Sequence, residues 1–281
     1  MTLNHSLSPL WAGALLIMGA TTVKAANPEH VQQLLQTNEC INCDLSDVDL
    51  KGKNLRGANL IGSSLLRANL SGANLDDANL ANTVLHQANL ENATLRRASL
   101  VTYLTRQTDL RQVNLKGAIL SYAKMNGVNL EDANLTGANL EGTNLDSAIV
   151  TTPKQERYVV PTILRRVNLT NSILRRAKLD QAVIEDANLT GANLQGASLR
   201  ESQISRTDLR KTDFKSADLR KASLTETNLT GANLSTAYLV KSRLQNVDLR
   251  EANLSNIDLR GAWLCGVMLP TGSRSDKGCK Q

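Results

Sequence analysis

The sequence predicts an all-β solenoid, a chain wound as a coil around a column of leucine. Three observations predict it. Leucine recurs at every fifth position through two long blocks, a small residue stands two places before most of these leucines, and aromatic residues are nearly absent. From Leu45 to Val150, the 22 positions divisible by five hold 19 leucines, the others being Thr105, Met125 and Val150. From Leu164 to Leu269 a shifted frame again gives 22 positions with 19 leucines, and Ile184, Ile204 and Phe214 are the exceptions. Aromatics are 2% of the 281 residues while 41% are hydrophobic. Such a chain can bury a core, and that core is a regular array of Leu and Ala.

A period of five suits neither common element. On a helix, a step of five residues turns about 500°, so successive leucines scatter around the axis. On a straight strand five is odd, and successive leucines point to opposite faces. The leucines share one core only if the chain bends once per five residues, always in the same sense. The small residues two places earlier (Ala68, Ala73, Ala78, Thr83, Ala88) fit an inward position with little room, and the Gly and polar residues between suit turns. A leucine-rich repeat is excluded, because its period is about 20–29 residues.

Stretches such as Leu70–Leu80, Leu130–Leu140, Leu189–Leu199 and Leu229–Leu234 follow the pattern A(D/N)LXX. In this the sequence resembles the pentapeptide repeat family over residues 43–269. The resemblance implies a right-handed quadrilateral β-helix with four pentapeptides per coil. Forty-four units then make about eleven coils, a rod roughly 50 Å long. Positions 20 apart should stack, so the Asn column (Asn69, Asn74, Asn79, Asn134, Asn139) can ladder along the rod.

The remaining segments follow in order. Residues 1–25 read as a signal peptide, with an apolar run from Leu10 to Ala20 and small residues Val23 and Ala25 before a cleavage point, although no Lys or Arg precedes the run. Residues 26–42 are expected to cap the first coil. Asn27 suits an N-cap, Pro28 the first helical position and Glu29 the first turn, and Val31, Leu34 and Leu35 form an apolar side of a helix over 28–36. The first repeat block is 43–150. Residues 151–163 hold a frame break, with a loop off the rod bracketed by Pro153 and Pro161. The second block is 164–269, and 270–281 form a capping tail. At "LVTYLTRQTDL", Thr105 and Tyr103 interrupt the pattern, and with Met125 they read as local repacking of one face. Both ends need capping, and an uncapped end leaves room for end-to-end association of two copies.

Four cysteines in an exported chain suggest disulfides, with three connectivities open. In the rod that the resemblance implies, the ends lie too far apart for a bridge. The expected pairs are Cys40–Cys43 and Cys265–Cys279, and a single four-cysteine zinc site is ruled out. The two cysteine-bearing ends also resemble those of exported cyanobacterial members of the family, from the periplasm or thylakoid lumen. The alternative for "CINC" is a redox CxxC, without the βαβ context such motifs need.

Catalytic chemistry finds no foothold in the sequence. The three histidines, His5, His30 and His86, do not cluster, no nucleophile-elbow, Walker or H-E-x-x-H pattern occurs, and Asp76–Asp77 lie at corners without a cleft. No cofactor or metal is implied. The expected function is a non-catalytic, exported protein-binding scaffold, periplasmic or lumenal. Its candidate contact residues are Lys154, Arg157 and Tyr158 in the loop, and Arg200, Arg220, Lys221, Lys241 and Arg260, which a 20-residue coil would stack on one face. Glu201, Asp218 and Asp258 interleave with this basic set, which weakens a nucleic-acid reading. The second reading is a DNA-mimicking, gyrase-interacting member of the family. That role asks for an acidic rod, whereas residues 164–281 carry 19 Lys+Arg against 12 Asp+Glu and the whole chain is +6.

Overall fold

A computed structural model describes residues 26–103 and 107–279. The signal-peptide reading of residues 1–25 and the reading of Thr105 lie outside the described residues. Each repeat contributes one short extended piece and one corner. At a typical corner the Ala133 N–H donates to the Leu130 carbonyl at 3.0 Å, and Asp132 holds φ 58°. The third residue of the turn is thus left-handed, as in a type II turn. The leucine at each corner faces the axis, and Leu130, Leu135, Leu140 and Leu145 are fully buried. Ala133 and Ala138 fill the small inward positions between them. Fully burying one leucine contributes roughly 1.5–3 kcal/mol, so the column supplies the driving force.

Four corners close a square coil, and successive coils hydrogen-bond in parallel. Four ladders of bridges form four walls. Wall 1 rises through Asp44, Ser64 and Val84, wall 2 through Asp49, Asn69 and Asn89, wall 3 through Asn54, Asn74 and Thr94, and wall 4 through Glu39, Asn59 and Asn79. The fold is an all-β quadrilateral β-helix. In the second block wall 1 becomes a regular sheet of β3 (Ile163–Arg165), β4 (Val183–Glu185), β5 (Gln203–Ser205), β6 (Ser223–Thr225), β7 (Arg243–Gln245) and β8 (Trp263–Met268), all parallel.

The step is 20 residues except at two places. Ser99 bridges Lys124, a step of 25, and Asn144 bridges Lys178, a step of 34. The first carries five extra residues between Leu100 and Asp109. Met125 therefore stacks above the level of Leu100. The second carries an antiparallel hairpin of β1 (Ala148–Thr151) and β2 (Arg157–Val160). The five extra residues amount to one unit and Val150, within β1, is a second, so forty-two of the forty-four units make about ten and a half coils rather than eleven.

The Asn column acts chiefly within its own corner. Asn134 Oδ1 accepts the Thr136 N–H at 3.1 Å, and Asn139 Oδ1 accepts that of Glu141 at 3.0 Å. Each such bond satisfies a corner amide that the coil leaves free. Side-chain bonds up the column occur at Asn69–Asp49, Asn114–Asn89 and Asn233–Asp213. The expected continuous ladder is therefore replaced by a series of local turns.

The ends are closed differently. The helix α1 (Pro28–Thr37) starts at Asn27, whose side chain accepts the Glu29 N–H at 2.9 Å. Leu34 plugs the core and Val31 packs against it, but Leu35 is half exposed, so only part of the expected apolar side faces inward. The cap also replaces a missing strand: His30 Nδ1 accepts the Asp44 N–H at 3.0 Å, and the Asn27 N–H donates to the Asp44 carbonyl at 3.1 Å. Cys40 and Cys43 sit at disulfide distance beneath the first coil, with Cα atoms 5.5 Å apart. At the other end β9 (Arg274–Lys277) runs antiparallel along β8, and Cys265 lies at disulfide distance from Cys279, Cα atoms 4.9 Å apart. The tail adds an antiparallel strand to the edge of wall 1. Leu254, Ile257, Leu259, Leu264 and Leu269 are only partly buried.

Candidate partner-binding edge

Both insertions leave the coil at the corner between walls 4 and 1. Backbone bonds trace this edge upward: Thr102 N–H to Asn126 O at 3.1 Å, Gly127 to Asp146 at 3.1 Å, Ser147 to Asp180 at 3.3 Å and Gln181 to Arg200 at 2.8 Å. The line continues from Glu201 to Arg220 at 3.1 Å, Lys221 to Val240 at 3.0 Å and Lys241 to Arg260 at 3.0 Å. All eight residues singled out in the sequence therefore share one edge. Lys154, Arg157 and Tyr158 stand on the hairpin, and Arg200, Arg220, Lys221, Lys241 and Arg260 continue above it.

The hairpin is clamped at its base. Thr102 Oγ1 donates to the Gly127 carbonyl at 2.9 Å, and Thr162 Oγ1 accepts the Gly127 N–H at 3.0 Å while donating to the Asp146 carbonyl at 3.0 Å. Gln107 Nε2 donates to the Pro161 carbonyl at 2.9 Å, tying the first insertion to the foot of the second. Strand alternation then decides what faces outward. Ala148 and Val150 are buried against the rod, whereas Ile149 and Val159, directly opposite in register, are 62% and 61% exposed. Tyr103 and Tyr158 are exposed on the same edge. The Tyr158 hydroxyl donates to Glu156 Oε2 at 2.8 Å, and that carboxylate pushes the phenol up from its usual range. Lys154 and Arg157 are exposed and make no ion pair among the described residues.

The upper basic set is largely neutralised. Arg200 Nε lies 3.5 Å from Asp180 and 3.2 Å from Asp218, Arg220 pairs with Asp218 at 2.6 Å, Lys221 with Glu201 at 2.9 Å and Arg260 with Asp258 at 2.8 Å. Of the five, Lys241 has no such partner among the described residues. Asp146, whose carboxyl burial pushes up, accepts the Asp180 N–H at 2.8 Å. Four of the five cations thus pair with four acids (Asp180, Glu201, Asp218 and Asp258), and Lys241 is the one of the set left without an ion pair among the described residues. The signal of this pairing was visible as the tripeptide D-L-R at Asp218–Arg220 and Asp258–Arg260, where the leucine points in and its neighbours meet outside. The apolar pair Ile149 and Val159 was not singled out from the sequence. The alternation in "AIVT" and "RYVV" around "TPKQE" is the hairpin signal that could have found it.

Among the described residues of this edge no group of metal-ligating side chains comes together. Among the described residues Cys265, Asp276 and Cys279 form a group of metal-ligating types, and its two sulfurs face each other at disulfide distance. No helix among the described residues is long and apolar enough to cross a membrane.

The family model of pentapeptide repeats matches in eight copies, covering residues 39–101, 106–151 and 162–264. Among solved structures the chain is similar to HetL, a pentapeptide repeat protein involved in heterocyst differentiation regulation from the cyanobacterium Nostoc sp. strain PCC 7120. Identity is 27% over 90% of this chain and 100% of that one, with a TM-score of 0.40. A pentapeptide repeat protein from the Arabidopsis thaliana thylakoid lumen is 30% identical over 37% of this chain and 62% of its own, TM-score 0.20. Full-length QnrB1, a plasmid-mediated fluoroquinolone resistance protein, is 16% identical over 78% of this chain and 92% of its own, TM-score 0.24. No curated protein matches the sequence. With the repeat model covering most of the chain and four walls built from its units, the chain belongs to the pentapeptide repeat family.

Proposed function

We propose that this chain is a non-catalytic, exported scaffold that docks a protein partner on the edge between walls 4 and 1, with the hairpin as its contact element. The observation that carries this reading is the Ile149–Val159 pair. An antiparallel pair of aliphatic side chains is held outward on a hairpin whose other face buries Ala148 and Val150 against the rod. Isolated exposed apolar residues are ordinary on a surface, but a clamped apolar pair beside two exposed tyrosines has the composition of an interface centre. Around it, Lys154 and Arg157 supply a basic rim. Export to a periplasm or thylakoid lumen rests on the apolar stretch at Leu10–Ala20 and on the cysteine pairs. The gyrase-directed DNA-mimic reading ranks second, because the chain from Ala26 onward is near +5 and Lys154, Arg157 and Lys241 stand on this edge without an ion pair among the described residues.

The test has two parts. N-terminal sequencing of native protein is expected to find a start at or near Ala26, and an intact Thr2 or Met1 would contradict export. Chemical crosslinking in the native compartment, followed by pull-down, is expected to map partner crosslinks to Lys154. Crosslinks confined to lysines of other edges, such as Lys215, would contradict the docking assignment.

A further inference from the structure

Eighteen arginines lie among the described residues, and fourteen of them reach a carboxylate. The four that do not are Arg157 on the hairpin, Arg243, whose guanidinium lies 5.3 Å from the Trp263 ring centre, and the adjacent Arg175 and Arg176. The last two stand at one corner of the edge between walls 3 and 4. Lower on that same edge Arg96 pairs with Asp76 and Arg97 with Asp77, each one coil below. At Arg175 and Arg176 the coil below offers Glu141 and Gly142, and Glu141 makes no ion pair with either arginine. The coil above offers Gln195 and Gly196.

The geometry turns this pair into a cleft. Gly196, with φ +63°, carries no side chain at its corner, and a Cβ there would stand in ordinary contact with the Cγ of Arg176, 3.8 Å away. The Arg176 stem therefore runs up the edge over Gly196. One coil further up stand Lys215 and Ser216, with Gly196 N–H bonded to the Lys215 carbonyl at 3.0 Å. Arg175, Arg176, Gln195, Gly196, Lys215 and Ser216 line the resulting cleft. The nearby acid, Asp213, is occupied: Gln195 Nε2 donates to it at 2.6 Å, Asn233 Nδ2 at 3.0 Å and the Lys215 N–H at 3.0 Å. A similar cleft over Gly72 carries Glu91 in its lining, and Lys116 already pairs with that carboxylate at 3.6 Å.

We propose that the Gly196 cleft binds a doubly charged tetrahedral oxyanion, as inorganic phosphate or as a small phosphate monoester. Arg175, Arg176 and Lys215 bring three cations to a cleft beside a corner that carries no side chain, while the Ser216 hydroxyl is engaged with Thr236 Oγ1 at 2.8 Å. Arginine forks match the oxygens of such a group, and charge-assisted bonds of this kind are about twice as strong as neutral ones.

The test is a titration of the isotopically labelled full chain, followed by amide chemical shifts at constant ionic strength. One arm uses inorganic phosphate, a second uses glycerol 3-phosphate, and chloride is the control. Saturable shifts are expected at Arg176, Gly196 and Ser216. Saturation by phosphate alone would identify the free ion, and saturation by both would identify the phosphoryl group itself. Arg176→Gln should weaken binding by about tenfold, the loss of one charged bond. Gly196→Asn should abolish binding by filling the cleft. Asparagine already occupies the equivalent left-handed position at Asn171, so this variant keeps the corner. Arg210→Gln, on the edge between walls 2 and 3, should change nothing. Shifts that fail to saturate, or saturation that survives both cleft variants, would overturn the proposal.

Discussion

Gly127 lies directly beneath Ala148: a Cβ on Gly127 would stand 2.7 Å from the Ala148 Cβ and 3.1 Å from the Val160 carbonyl oxygen. The backbone of the rod thus touches both strands of the hairpin at one residue. Gly137 shares the left-handed conformation, φ +65° against +69°, but has open space around it. The pair separates conformational cost from contact. Gly137→Ala should cost about 1–2 kcal/mol, the left-handed penalty of an ordinary residue. Gly127→Ala should cost roughly 1–3 kcal/mol more, because the hairpin must lift or the coil must shift. Chemical unfolding measures both, and equal losses would mean that the hairpin does not rest on the rod.

The periodic core was legible from the leucines alone, because five-residue spacing leaves one geometry that buries them together. The insertion between Leu100 and Asp109 was not. It adds five residues and preserves the leucine frame, so the interruption at Tyr103 and Thr105 reads as repacking of one face rather than as an insertion. The 14-residue insertion at the hairpin breaks that frame and was seen. The acids Glu201, Asp218 and Asp258 were legible as interleaving with the basic set, but which cation each one holds was not. The partners of Arg220 and Arg260 lie two residues back, while those of Arg97 and Lys221 lie 20 residues back.

Leu135 stands mid-rod and is fully buried, whereas Glu141 is at a corner facing outward. Leu135→Ala should cost about 2–5 kcal/mol through lost burial and the cavity left behind. Glu141→Ala should stay within about 0.5 kcal/mol. Thermal unfolding of the two variants compares them, and similar shifts would contradict the inward assignment of the leucine column.

The N-terminal cap should depend on a single ring. His30 Nδ1 is the partner of the Asp44 N–H, which has no strand beneath it. His30→Ala leaves that donor without its acceptor, at a cost of about 1–3 kcal/mol if water cannot reach it. Amide hydrogen exchange at Asp44 should accelerate in the variant, with exchange at Leu135 less affected. Unchanged exchange at Asp44 would remove the ring from the cap.

Acid should loosen the surface network. Arginine side chains hold the carboxyls of Asp77, Asp132, Glu185, Asp186, Asp208, Asp248 and Asp258 below their usual range. A carboxyl lowered by folding contributes stability that is present above its unfolded pKa and lost as pH falls through the folded value. The unfolding midpoint should therefore fall as pH drops from 5 toward 2, with roughly pH 4 as the start. These groups are solvent-exposed, so added salt should reduce the effect. A midpoint that rises on acidification would contradict the network.

The tail is held to β8 by strand pairing and by Cys265–Cys279, cysteines 14 residues apart in sequence. Closing a loop of this size contributes about 3 kcal/mol in the chain-entropy account. Cys279→Ser should free β9 and hasten proteolysis after residues such as Arg274, while cleavage within the first block stays slow. It should also leave Leu264 more exposed. Equal resistance of the two proteins would place the tail elsewhere.

The central claim is that the outward hairpin pair makes the contact with a protein partner, and the double variant Ile149→Lys, Val159→Lys tests it most directly. Both side chains are exposed and face away from the rod, so the variant should unfold within about 1 kcal/mol of the parent. The measurement is quantitative binding of the crosslink-identified partner to the parent and to this variant, side by side. The account predicts a loss of at least about tenfold in affinity, because two charges would be buried in an apolar contact. Undiminished affinity in a fully folded variant would contradict it.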